Sequence, residues 1–299
     1  MDRRSFILAT SSLAAAAVWS SRAVGSVITN PSFHAYPFSL GVASGDPSAD
    51  GMVLWTRLAP DPLNGGGMEP GTVEVSWMIA EDEGFSKGVK KGKTFARHDW
   101  AHSVHVEVDG LKPDRWYWYQ FRAGSEVSPV GRTRTMPAEG VTPDRLRFAF
   151  ASCQHFETGF YTAYEHMVQE DLDLIIHLGD YIYEYKGRED RVRMHRGDEI
   201  MSVDDYRNRY AQYRSDIDLQ AAHAAAPWLV TWDDHEVDNN YASDISEQLG
   251  TDREAFRWRR ANAYKAYYEH MPLRRASLPQ GPDMLLYRRV SFGNLADFF

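Results

Sequence analysis

The sequence predicts an N-terminal all-β sandwich followed by an α/β domain that is incomplete. Two observations carry the fold class. From about Phe38 to Pro137, short apolar runs, some with clean period-two alternation, are separated by turn residues. Past Gly140-Val-Thr-Pro-Asp144 strand and helix patterns alternate, as in an α/β domain. A third observation points to chemistry. Leu174–Leu178 runs into Gly179-Asp180-Tyr181-Ile182-Tyr183, and Trp228–Trp232 runs into Asp233-Asp234-His235-Glu236. Both runs read as buried strands with carboxylates at their C-terminal ends, the edge where open α/β sheets bind ligands.

Residues 1–25 open with Met1-Asp2-Arg3-Arg4-Ser5-Phe6 and continue as Ala-rich apolar sequence to Trp19, with small residues around Ser21-Arg22-Ala23. This reads as an export signal, too short and too rich in Ala and Ser for a stable membrane span. The paired arginines followed by Ser-Phe-Ile resemble the twin-arginine signal, with an ordinary Sec signal as the plainer alternative. The twin-arginine reading expects the Tat export machinery as a partner and a periplasmic or secreted location. The single cysteine, Cys153, leaves an exported chain without an internal disulfide.

Residues 26–37 read as a polar linker containing Pro31, and residues 38–140 as the β domain. Gly51–Arg57, Thr72–Ile79, Ser103–Val108 and Trp116–Phe121 are its clearest strands, the last following the turn Gly110-Leu-Lys-Pro-Asp114. The aromatic stripe of Trp116–Phe121 reads as core packing, with a sugar-binding platform as the lesser alternative. Residues 145–299 read as the α/β domain. Strands are expected at Leu146–Ala151, Asp173–Leu178 and Pro227–Trp232, and helices at Thr162–Glu170, Val203–Tyr213, Asp216–Ala225 and Arg253–His270. Tyr287–Phe292 and Leu295–Phe299 form a hairpin whose second strand stops abruptly, so the chain reads as a fragment or a shortened product of a larger protein.

The formal net charge is −9, and −11 without residues 1–25. Such a surface does not favour polyanions, so nucleic-acid binding is not expected. An anionic substrate needs local cations, most simply metal ions. Three strand ends can supply their ligands: Ser152-Cys153-Gln154, Asp180 with Tyr183, and Asp233-Asp234-His235-Glu236. A carboxylate can bridge two cations. Tyr183 reaches the site of Asp180 if that segment turns into a helix, and a phenolate suits a ferric ion. A metal deprotonates a coordinating thiol outright. His235 can be a ligand or a proton donor to a leaving oxygen, and a two-metal centre can clamp the attacking and leaving oxygens of a phosphoryl group.

Taken singly, each residue has a plainer reading: Cys153 as a small buried hydrophobe, Asp180 as a helix cap, Tyr183 as a core aromatic, His235 as a structural hydrogen-bonder. Taken together they indicate a metal site. A cysteine hydrolase using Cys153 with His155 or His235 leaves Asp180, Tyr183 and Asp234 without a role. The residue types alone also permit zinc or manganese.

The segments Ala151-Ser152-Cys153-Gln154, His177-Leu178-Gly179-Asp180-Tyr181-Ile182-Tyr183-Glu184 and Thr231-Trp232-Asp233-Asp234-His235-Glu236-Val237-Asp238-Asn239-Asn240 resemble the PhoD-type alkaline phosphatases and phosphodiesterases of the calcineurin-like metallophosphoesterase superfamily. Leu111-Lys-Pro-Asp-Arg-Trp-Tyr-Trp-Tyr119 resembles a late strand of fibronectin type III domains. The resemblance implies a fibronectin III-like sandwich before a four-layer α/β metallophosphoesterase domain. It implies an exported hydrolase of phosphomonoesters or phosphodiesters, with Fe3+ and Ca2+ as cofactors. Carried over, Cys153 and Tyr183 bind iron, Asp180 bridges, and Asp234 stands where the superfamily's Gly-Asn-His-Glu/Asp motif places its metal-binding Asn. His235 takes the position that stabilises the transition state, and either Asn239 or Asn240 adds a ligand. Further Asp and His ligands of the family lie beyond this length. A non-catalytic remnant acting as a surface binding module is therefore the alternative function.

Overall fold

The computed structural model describes residues 26–299, so the export-signal reading lies outside the described residues. In chain order the strands are β1 Val27–Ile28, β2 Val42–Gly45, β3 Met52–Arg57, β4 Thr72–Ala80, β5 Lys90–Arg97, β6 Ser103–Val108, β7 Trp116–Ala123, β8 Glu126–Val127, β9 Gly131–Arg134, β10 Phe148–Ala151, β11 Leu174–His177, β12 Trp228–Val230, β13 Val290–Phe292 and β14 Ala296–Phe298. The α-helices are α1 Thr162–Val168, α2 Val203–Arg214, α3 Ile217–Ala225 and α4 Arg253–His270. Short polar residues start three of these helices. Ser202 and Asp205 form a reciprocal capping box at α2, and Asp216 and Asp252 accept backbone N–H groups at the starts of α3 and α4.

One sheet has the order β1-β4-β7-β8, with β5 on β4 and β9 on β7. The other runs β10-β11-β12-β2-β3-β6. Its first four strands are parallel, and β2-β3-β6 are antiparallel. Strands on both sides of residue 140 therefore share one sheet, joined where Trp228 pairs with Gly45. The sequence does not announce this junction, because Val42–Gly45 is too short to show a period. Val42, Leu54 and Val106 of that sheet pack with Val75, Ile79, Tyr117, Tyr119 and Phe121 of the other in one buried cluster.

Around β11 the period of two sets two faces. Ile175 packs with Tyr206, Tyr210, Tyr213 and Tyr267 of the helices. Leu174, together with Leu229 of β12, meets Val290 and Phe292 of the terminal hairpin. The sheet is thus covered on both faces, which is why β11 and β12 read as nearly continuous apolar runs. The expected hairpin is present, with Ser291 opposite Asp297. No helix among the described residues is long and apolar enough to cross a membrane.

Candidate metal centre

The parallel order β10-β11-β12 brings three strand ends side by side, and backbone hydrogen bonds then lace their turns together. Cys153 N–H donates to Gly179 O at 3.1 Å, and Gln154 N–H to Asp180 O at 3.1 Å. The buried Glu236 carboxylate ties the next pair, accepting from Tyr181 N–H at 2.6 Å and Asp233 N–H at 2.9 Å. Cys153 (φ +53°) and Asp180 (φ +54°) both occupy left-handed backbone, held there by this lacing. Gly179 has φ +112°, and a Cβ on it would lie 2.5 Å from Asp233 N and from Asp233 Cβ. Only glycine lets the two turns approach so closely.

Asp180, Asp234 and His235 bring one ligand atom each to within 4.8 Å of one another. Asp180 Oδ2 accepts a hydrogen bond from Tyr183 OH at 3.0 Å, while the buried Oδ1 has no protein donor. No helix follows Asp180, so the helix-cap reading fails, and Tyr183 arrives through irregular turns instead of helical spacing. Cys153 is exposed at the rim, with its thiol beside Asp180 and Tyr183. Among the described residues no histidine hydrogen-bonds this thiol, and burial followed by the Asp180 charge pushes it up, which is the wrong direction for a cysteine nucleophile. Burial, Asp180 and Cys153 likewise push Tyr183 up. These shifts describe acidic groups crowded around an uncompensated carboxylate. A bound cation would invert them, and the orphan Asp180 oxygen is free to serve as its ligand. The residues therefore fit a metal.

His235 is held on two sides. Its Nδ1 lies 2.7 Å from Glu184 Oε2, and its ring stands 4.1 Å from the Tyr183 ring between centroids. Burial pulls this imidazole down, but Glu184, then Asp180 and Asp234, outweigh it and the net shift is upward. The other Glu184 oxygen accepts Asn239 N–H at 2.9 Å. Burial raises Glu236 to about 8.

The five predicted site residues converge. The two asparagines do not bring side chains to the cluster. Asn240 donates its backbone N–H to Asp234 Oδ2 at 2.6 Å, and both Asn239 and Asn240 direct their side-chain amides to Glu247. Sequence reasoning assigns no role to Glu184 or Glu236, although both lie inside the quoted motifs. Their signal is a carboxylate in an apolar or metal-bearing run that must find a donor when buried. His155, whose ring stands 4.2 Å from that of Tyr183, joins the same aromatic stack.

Comparison with known proteins gives concordant results. The family described as PhoD-like phosphatase matches residues 148–299, and its N-terminal domain matches residues 22–137. Alkaline phosphatase D of Bacillus subtilis (strain 168) is 58% identical over 306 residues, covering 99% of this chain and 52% of the relative. A solved structure described as the structure of PhoD is 61% identical and superposes with a TM-score of 0.88, over 89% of this chain and 52% of that one. The chain thus spans about half the length of the relatives it matches, and its mixed, sheet-rich architecture is theirs over that half. On these matches and the site they contain, the chain belongs to the PhoD-like phosphatase family.

Proposed function

We propose that this chain carries a metal-dependent centre for hydrolysing phosphoric esters, either phosphomonoesters or phosphodiesters. The observation that supports this most is the buried Asp180 carboxylate, with one oxygen on Tyr183 and the other without a donor, within 4.8 Å of ligand atoms from Asp234 and His235. Cys153 and Tyr183 would hold Fe3+, Ca2+ would be the second ion, Asp180 would serve both, and Asp234 would add a metal ligand. This pair would supply Lewis acidity toward a phosphoryl oxygen and a water activated for attack on phosphorus. Glu184 holds His235 through Nδ1, which would leave Nε2 to give a proton to the leaving oxygen. Gly179 and Glu236 keep the turns of Asp180 and Asp234 in register.

The same reading has the protein in the periplasm or outside the cell, delivered by the Tat machinery, with a fibronectin III-like sandwich over residues 38–140 whose β2-β3-β6 strands continue into the sheet of a four-layer α/β domain from residue 145. No observation favours the non-catalytic binding module. Hydrolysis of p-nitrophenyl phosphate and bis-p-nitrophenyl phosphate, with added calcium and with chelator, tests the proposal. Chelator-sensitive turnover supports it. No turnover of either ester by metal-loaded protein contradicts it for this chain.

A further inference from the structure

Cys153 stands in left-handed backbone at the rim of the centre, so its placement depends on what holds the residues around it. Gln154, the next residue, is buried, and each of its polar atoms has a partner. Its backbone N–H donates to Asp180 O at 3.1 Å, and its side-chain Nε2 donates to Tyr181 O at 2.8 Å. With Cys153 N–H on Gly179 O, successive donors meet the successive carbonyls of Gly179, Asp180 and Tyr181. The strands β10 and β11 themselves stop pairing at Ala151 and His177. Past that point the side-chain amide of Gln154 stands in for one more backbone N–H.

The other end of the amide is fixed from the start of α1. Tyr161 OH, just before the helix, donates to Gln154 O at 2.6 Å, and Tyr164 OH donates to Gln154 Oε1. Both phenols are buried, and the Tyr164 ring stacks on that of Trp228 in β12 with 6.0 Å between centroids. A backbone carbonyl can only accept, so Nε2 faces Tyr181 O and Oε1 faces the Tyr164 hydroxyl.

A buried amide is costly unless its donors and acceptors are met, and an apolar side chain would fill the same space without that demand. What glutamine adds is a donor aimed at the residue after Asp180 and an acceptor for α1. Gln154 follows Cys153 and Tyr181 follows Asp180, so the bond between them ties the two turns directly behind the two side chains. We propose that Gln154 is a positioning residue for the metal centre. Its amide sets the separation between the Cys153 thiol and the Asp180 carboxylate, and Tyr161 and Tyr164 hold Gln154 in place. This rests on the reading of Cys153 and Asp180 as metal ligands. Without the amide the turn of Asp180 is free to shift against Cys153, and an ion that uses both loses its pre-set geometry.

Iron affinity and visible absorption of Gln154→Met test this, beside the unaltered chain and Val75→Ala, a truncation in the apolar cluster between the two sheets. Methionine keeps a similar size without the amide. Gln154→Met should bind iron about 10- to 100-fold more weakly, and the visible band of its iron-loaded form should move or weaken. Val75→Ala should lower the Tm and leave iron affinity and band unchanged. A Gln154→Met protein with the band and iron affinity of the unaltered chain overturns the proposal. An equal loss of iron in Val75→Ala would mark general destabilisation and overturn it too. Tyr164→Phe removes one hydroxyl and should shift both quantities in the same direction by a smaller factor. Should Gln154→Met fail to fold, Tyr164→Phe decides. An unaltered chain that binds no iron contradicts the ligand reading and the proposal together, whereas a coloured unaltered chain matched by its variants contradicts the positioning role alone.

Discussion

Glu184 and His235, on two different strand-end turns, meet through a 2.7 Å contact between Oε2 and Nδ1. Glu184 is fully buried, and its second oxygen holds Asn239 N–H, so one carboxylate fixes both the imidazole and the segment that follows it. Tyr183 precedes Glu184 in the chain and its ring packs against the same imidazole, so a single turn carries both a metal-ligand candidate and the support of the proposed proton donor.

Glu184→Gln should therefore lower kcat for phosphate ester hydrolysis by about 10- to 100-fold, the usual range for residues that orient a metal-site group. KM and metal content should change little. Steady-state kinetics alongside metal analysis checks this. Unchanged kcat would show that His235 needs no carboxylate.

Gly179→Ala would place a methyl group against Asp233 and force alanine to φ +112°. Destabilisation of roughly 1–3 kcal/mol is expected, read as a lower midpoint in urea unfolding, with impaired metal binding because the turns of Asp180 and Asp234 separate.

Asp180→Asn keeps the shape but removes the charge that the metals would share. Metal content should fall severalfold and hydrolysis should disappear. Thermal stability without metal should hold or rise, because a buried carboxylate oxygen without a donor is replaced by a neutral group.

Burial pushes the His177 imidazole down to about 3. Its unfolded value is about 6.5, so the unfolded chain takes up this proton first. The stabilising contribution is complete above about pH 6.5 and is lost as pH falls from there toward 3. Urea unfolding between pH 7.5 and 4.5 should show this slope, and His177→Asn should flatten it by up to one proton.

Much of this was readable in the residues. Arg253–His270 matches its predicted span because an 18-residue helix offers many turns of consistent amphipathic spacing. The strands ending near Cys153, Asp180 and Asp234 were legible as apolar runs, and the parallel order of β10, β11 and β12 made them one site. Val42–Gly45 and Lys90–Arg97 were not legible. The first is four residues long, and the second carries its lysines and arginines on an edge strand whose apolar side is thin. Within the site, the residue types gave the ligand candidates but not the hydrogen bonds. That Asn240 presents its backbone to Asp234, and that Glu236 laces two turns, depends on positive-φ geometry at Asp180 and Asn240, which no spacing rule contains.

Metal analysis of the purified chain, combined with its visible absorption spectrum, tests the central claim most directly. Thiolate from Cys153 and phenolate from Tyr183 on ferric iron should give a coloured protein containing iron and calcium, and Tyr183→Phe should weaken the visible band. A colourless protein that holds neither metal after incubation with both would contradict the account.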